Sequence, residues 1–180
     1  MELRGKKVYL RLIEPDEAPR WVELLNRNRE SWSAFEPSRD EAFYSLETQR
    51  NTIVSDKEDA GEGIAFHWGV FEHGSGSLIG DVSMYGIQRG PFQSVSIGYS
   101  MDQDHTGRGY MTEAVRLAVR HAFQDLMLHR VEAVVHPSNT ASIRLLEKVG
   151  FKREGLARKS LKVQGRWLDH YYYAILEEDW

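Results

Sequence analysis

The chain contains no cysteine, which removes disulfides, thiolate metal sites and a cysteine nucleophile from consideration and fits a reducing compartment. It has no apolar run approaching the roughly 18 residues of a membrane helix, and its start, Met1-Glu2-Leu3-Arg4-Gly5-Lys6-Lys7, has no apolar signal core. No block of Lys and Arg exceeds a few residues, and the formal net charge is −4. A phosphate-backbone binder would carry a basic face, so neither nucleic acid nor a membrane is an expected partner. The seven histidines form no HExxH pair, so no metal is expected, and no GxSxG nucleophile elbow is present. What remains is 180 residues, 41% of them hydrophobic. That is enough for one globular domain over residues 1–180, read as soluble and cytoplasmic.

Hydrophobic periodicity orders that domain. Val8, Leu10 and Leu12 alternate with Tyr9 and Arg11 as in a half-buried strand. Pro15-Asp16 opens a helix with Trp21, Leu24 and Leu25 on one side, and a second helix is expected from about Ser38 to Asp56. Residues 65–71 and 77–87 read as strands joined by Glu72-His73-Gly74-Ser75-Gly76. Between two strands that glycine-serine run is a hairpin turn rather than a phosphate loop. A strand over 92–101 precedes a helix with Met111, Val115, Ala118, Ala122 and Leu126 on one face. A strand over 130–136 stops at Pro137, and Ser138 or Asn139 caps a short helix ending at Gly150. Two last strands meet at Gln164-Gly165, and Glu177-Glu178-Asp179-Trp180 reads as a frayed acidic end.

The order β-α-α-β-β-β-α-β-α-β-β gives an α/β domain of about seven strands and about four helices. Short turns make neighbouring strands antiparallel, whereas the helical crossover from the fourth to the fifth makes that pair parallel. A mostly antiparallel sheet with one internal parallel pair can splay there and admit a ligand.

The fourth strand runs into Asp104-His105-Thr106-Gly107-Arg108-Gly109-Tyr110-Met111-Thr112-Glu113-Ala114. The first turn of a helix leaves N–H groups unpaired and carries roughly half a positive charge. Gly107 and Gly109 let those groups approach an anion closely, so a phosphate site is expected here.

This loop, together with Asn139-Thr140-Ala141-Ser142-Ile143-Arg144-Leu145-Leu146-Glu147-Lys148-Val149-Gly150-Phe151, resembles the GNAT acetyltransferases over almost the whole chain. Within them it looks most like the RimJ/RimL group of protein N-terminal acetyltransferases, and more like RimJ. The narrower likeness rests on Phe35-Glu36-Pro37-Ser38-Arg39-Asp40-Glu41, Ile97-Gly98-Tyr99-Ser100, the glycine loop, and Gly165-Arg166-Trp167-Leu168-Asp169-His170. The resemblance implies a GNAT-like fold that binds acetyl-CoA at the splay, as cosubstrate and without a metal.

It also implies residue roles. The family pyrophosphate loop, Arg/Gln-x-x-Gly-x-Gly/Ala, falls on Thr106, Gly107, Arg108, Gly109, Tyr110 and Met111. Thr106 and Met111 depart from it, so backbone N–H groups carry the binding, with Arg108 compensating where it faces the phosphates. The strand edge Gly98, Tyr99, Ser100 and Met101 matches the one that pairs with the pantetheine amides. Asn139 matches the residue that bonds the same arm, and Ser142 the serine of RimL-like enzymes that protonates the departing thiolate. The tyrosine that many members use for that purpose is replaced by Leu146, and the RimL-like glutamate by Leu161.

Acetyl transfer needs a neutral amine, a polarised thioester carbonyl and a proton for the thiolate. Glu36, Asp40, Asp81, Asp169 and His170 are the candidate bases, and Glu36 is preferred because an acidic group by the cleft attracts a protonated amine. Trp32, Phe35, Glu36 and Pro37 are the expected acceptor-binding loop, with Trp167, Tyr171, Tyr172 and Tyr173 as further aromatic surface. An α-amine of pKa 7.7–8.0 is roughly 10–20% neutral at pH 7, and a lysine about one part in 2,500. The expected activity is therefore acetylation of a protein N-terminal α-amine, such as that of a ribosomal protein, by direct attack in a ternary complex. Acetylation of a small amine (polyamine, amino acid or antibiotic) and acyl-CoA sensing without turnover are the alternatives. A monomer or homodimer is expected.

Overall fold

In the computed structural model, which describes residues 1–180, the chain runs β1 (Glu2–Arg4), β2 (Val8–Leu12), α1 (Ala18–Ser33), α2 (Leu46–Glu62), β3 (Phe66–Glu72), β4 (Leu78–Gln88) and β5 (Ser94–Met101). It continues as α3 (Tyr110–Gln124), β6 (Arg130–Val135), α4 (Thr140–Val149), β7 (Lys152–Val163) and β8 (Arg166–Leu176). The strands form one sheet in the order β1-β2-β3-β4-β5-β6-β8-β7, antiparallel except for β5 and β6. That parallel pair holds only from Ser94↔Arg130 to Ser96↔Glu132. Beyond it the two strands diverge, which is the expected splay.

Alternation along the strands serves two layers of helix. Val8, Leu10, Trp68, Val70 and Val95 pack with α3 and α4 in the larger core. On the other face, Trp21, Leu24 and Leu25 of α1 and Ile53 of α2 close over Ile13, Phe71 and Leu78. No helix is long and apolar enough to cross a membrane.

Three expectations need correction. The sheet has eight strands, not seven, because Glu2-Leu3-Arg4 pairs with β2, a run too short to show a period. The splayed pair is thus the fifth and sixth strands. The second helix begins at Leu46, since Asp40 caps a separate 3₁₀ turn over Glu41–Tyr44 and Ser45 caps α2 itself. It then runs past Asp56 to Gly63, which takes the left-handed conformation at φ 70°. The acidic end is not frayed: Asp179 pairs with Lys152 and accepts from Leu176 N, and Trp180 meets Phe123.

Glu113 ties the start of α3 to the β1–β2 turn. Its carboxylate accepts from the backbone N–H groups of Lys6, Lys7 and Val8 at 3.0, 2.7 and 2.9 Å. Burial opposes its charge, but these bonds outweigh burial and hold its pKa below the usual carboxylate range. Glu113→Ala is expected to cost about 2 kcal/mol or more in urea unfolding at neutral pH. Because the folded pKa is the lower one, the difference from wild type should be complete at neutral pH and shrink as pH falls below about 4.3.

Candidate active site

At the splay lies a cleft of about 1130 Å³, and β5 is its axis. Asp102 N donates to Ile79 O at 2.8 Å. Hydrogen-bonded pairs alternate along an antiparallel ladder, so Ser100 and Gly98 spend their main-chain groups on Asp81 and Ser83 of β4. The main-chain groups of Tyr99 and Met101 face the opening. Of the four expected edge residues, then, two offer backbone to a ligand and two do not. Gly80 locks this arrangement, because a Cβ there would lie 2.4 Å from the Ser100 carbonyl oxygen.

Side chains alternate too, and each face of β5 carries a polar pair. Toward α1 and α2, Ser100 Oγ donates to Glu36 Oε1 at 2.8 Å. Glu36 is half-buried, and burial together with the charge of Asp81 pushes its pKa up. Trp32 Nε1 donates to Met101 O at 2.9 Å, fixing the end of α1 against the same strand. Toward α4, Tyr99 Oη lies 2.7 Å from Ser142 Oγ. Burial raises the Tyr99 pKa to about 12, so this pair stays protonated across the working range and offers a donor to the cleft.

The anion loop has the expected form. Gly107 and Gly109 sit at φ 76° and 79°, where a side chain is strained. Glu113 N is the first to bond back into the helix, to Gly109 O at 3.2 Å. The backbone N–H groups from Gly107 to Thr112 thus stand ahead of the first helical bond, as a helix N-terminus requires. Thr106, Gly107, Gly109, Tyr110 and Met111 line the cleft. Arg108 corrects the expectation: its side chain turns outward beside Lys6, Lys7, Glu72 and Tyr110, and Lys7 Nζ bonds its carbonyl at 2.9 Å. The Tyr110 hydroxyl donates to Glu72, leaving its N–H for a ligand. Asn139 caps α4 by accepting from Ser142 N at 3.2 Å, which keeps its amide N–H₂ free.

Trp32, Phe35, Glu36 and Pro37 all border the cleft. The β7–β8 hairpin contributes differently from expectation. Tyr173 is buried, and Trp167 and Tyr172 face solvent at 58% and 39% exposure. Leu161 and His170 line the cleft instead. His170 Nδ1 lies 3.1 Å from Leu168 O, and burial lowers its pKa, so at neutral pH it is an uncharged imidazole. Asp40 is a helix cap, and Asp169 accepts from Lys159 N at 2.8 Å; both are spent on backbone.

Leu146 is fully buried in the core. The Tyr99 hydroxyl instead reaches Ser142, one helical turn earlier on α4, and sequence reasoning missed it. A strand tyrosine gives no local sign of which helix its hydroxyl meets.

A splayed β5–β6 pair with a glycine-gated helix N-terminus below it defines an acetyltransferase of the GNAT type. Residues 7–152 match the family model described as acetyltransferase (GNAT) domain, and the chain belongs to that family as an N-acetyltransferase. Among its relatives, the probable N-acetyltransferase YjcK of Bacillus subtilis is 44% identical, covering 98% of both chains. The [ribosomal protein uS5]-alanine N-acetyltransferase of Escherichia coli is 31% identical, covering 100% of this chain and 93% of its own. In structure, RimJ of Mycobacterium smegmatis in complex with CoA-disulfide has a TM-score of 0.90 at 29% identity, covering 95% of this chain and 82% of its own.

Proposed function

We propose that the protein transfers the acetyl group of acetyl-CoA to the N-terminal α-amine of a protein. The observation that carries this reading is the pair of polar couples on opposite faces of β5, Glu36–Ser100 and Tyr99–Ser142, where β6 leaves the sheet. Pyrophosphate binds the N–H groups of Gly107 to Thr112, and the pantetheine arm pairs with the exposed edge of β5. On the acceptor face, Glu36 takes a proton from the ammonium. The freed nitrogen lone pair attacks the thioester carbon, and the carbonyl electrons move to oxygen, held by the Tyr99 or Met101 N–H. Collapse breaks the C–S bond, and the thiolate takes a proton through the Tyr99–Ser142 hydroxyls, which regain one from solvent. The amide nitrogen loses its second proton to solvent and Glu36 returns the first, so of the two protons shed by the ammonium one is carried on the CoA thiol and one is released. The absence of cysteine from the chain supports direct transfer.

The α-amine is favoured by its low pKa and by the uS5-alanine activity of the Escherichia coli relative. Free-thiol release against alanine- and serine-initiated peptides, spermine, amino acids and an aminoglycoside tests it. Turnover is expected with a peptide and blocked when its α-amine is capped. Turnover confined to small amines would overturn the protein acceptor, and tight CoA binding with no acceptor-dependent release would leave a sensor. Ser142→Ala and Tyr99→Phe should each lower kcat about 10-fold with acetyl-CoA affinity unchanged, and the double variant little further, because the two hydroxyls act as one donor.

A further inference from the structure

His67 on β3 is gripped from both sides. Its Nδ1 lies 2.8 Å from Asp56 Oδ2 on α2, and its Nε2 lies 3.1 Å from Asp81 Oδ2 on β4. With a carboxylate at each nitrogen both must donate, so the ring is an imidazolium. Burial opposes that charge, but the hydrogen bonds the ring donates to Asp56 and Asp81 outweigh it and push the pKa to about 10. Trp21 stands edge-on to the ring at 5.6 Å between centroids. One cation between two anions leaves a negative charge over.

That charge borders the cleft. Asp81 is the register partner of Ser100, whose hydroxyl holds Glu36, and the charge of Asp81 reaches Glu36 strongly enough to raise its pKa. Asp81 gives Oδ2 to His67 and has Oδ1 left, and Glu36 gives Oε1 to Ser100 and has Oε2 left. On the other flank, a Cβ at Gly69, opposite Asp81, would meet Leu78, Phe71 and Ile13 within 3.0 Å. The array is therefore closed by apolar side chains behind and open in front. A pin that merely fastened α2 to the sheet would not need its second carboxylate at the cleft beside another.

We propose that Asp81 binds the acceptor's ammonium and that His67 is the positioning residue that holds the Asp81 carboxylate aimed at it. This rests on the cleft being the amine-acetylating site. Asp81 holds the cation while Glu36 removes its proton, and a hydroxyl acceptor, which brings no charge, gains nothing there. The charged groups around the array are Asp56 and Asp59 of α2, Asp81 of β4, and Glu36 and Arg39 of the loop after α1.

The test uses whichever amine the wild type acetylates, an alanine-initiated peptide first and spermine otherwise. Turnover of spermine alone would therefore defeat the protein acceptor without touching the array. Asp81→Asn and His67→Gln should each raise the acceptor KM about 10-fold or more, with the acetyl-CoA KM within twofold of wild type. The desamino analogue of the peptide should inhibit wild type and Asp81→Asn equally. In His67→Gln the two facing carboxylates lose the cation between them and repel, which turns Asp81 away from the ammonium. His67→Gln/Asp56→Asn leaves Asp81 as the lone charge and should recover most of the lost acceptor KM. Unchanged acceptor KM in both single variants overturns the proposal. A double variant as impaired as His67→Gln, with a lowered Tm, would reduce the array to a structural pin.

Discussion

Glu36→Gln should lower kcat/KM for the acceptor about 100-fold, a loss of ~2.7 kcal/mol in transition-state stabilisation, while the acetyl-CoA KM barely moves. The amide keeps a carbonyl oxygen for the Ser100 hydroxyl, so the loop after α1 should hold its place and the variant should fold as wild type does. What it loses is the ability to take a proton. Burial and Asp81 raise the Glu36 pKa above the usual carboxylate value, which brings it closer to that of the amine it would deprotonate. In wild type, activity should fall as pH drops through that raised value, because a protonated Glu36 cannot accept. In Glu36→Gln that limb should vanish, leaving only the acceptor's own ionisation, about 7.7–8.0 for an α-amine. His170→Gln is the contrast. Its imidazole is neutral at neutral pH and also borders the cleft. A 100-fold loss there, with Glu36→Gln near wild type, would move the base to His170.

Gly109→Asp should weaken CoA binding about 100-fold, or ~2.7 kcal/mol, measured by calorimetry. Gly109 is the N-cap of α3 at φ 79°, and a Cβ there would meet only Lys7 Nζ, at 3.4 Å. Aspartate tolerates the left-handed conformation better than most side chains and is a favoured N-cap. The helix therefore survives, and its own carboxylate takes the N–H groups that the pyrophosphate needs. Gly109→Asn makes the same backbone demand without the charge and should lose much less. Equal losses in the two variants would mean that backbone strain, not the anion, governs the site. Unchanged affinity in Gly109→Asp would refute the loop as the pyrophosphate cradle.

The layout of the fold was legible because it is written in local periods. Val8-Leu10-Leu12, the stripe from Met111 to Ala122 and the Pro137 stop announce their elements without tertiary information. Asn139 as a cap and the two glycines of the anion loop follow from single-residue backbone chemistry. Failures came where length or pairing decides. Glu2-Leu3-Arg4 is too short to carry a period, and the α2 start depends on which of two capping residues, Asp40 or Ser45, opens the longer helix. The site divided in the same way. Glu36 and Ser142 were visible as residue types near motifs, but their partners Ser100 and Tyr99 are 64 and 43 residues distant in sequence. Which way Arg108 faces was not legible, because a loop sequence does not tell which side of the loop a long side chain takes. His67, Asp56 and Asp81 lie on three elements, and only the sheet register brings them together.

Ser100 and Tyr99 are consecutive residues, yet in the proposed mechanism one serves the amine and the other the sulfur. A slip of β5 by one residue against β4 would exchange every side chain between the two faces. The phenol would then project into the amine's pocket, and the serine would be buried beneath α4. Gly80, with no space for even a methyl group against the Ser100 carbonyl, guards the alignment that prevents this. Chemistry in this protein is thus indexed by the parity of a strand. Insertions of two residues before Ser94 could be absorbed in the turn with both faces intact, while any unabsorbed odd shift would turn an acetyltransferase into a correctly folded, silent sheet.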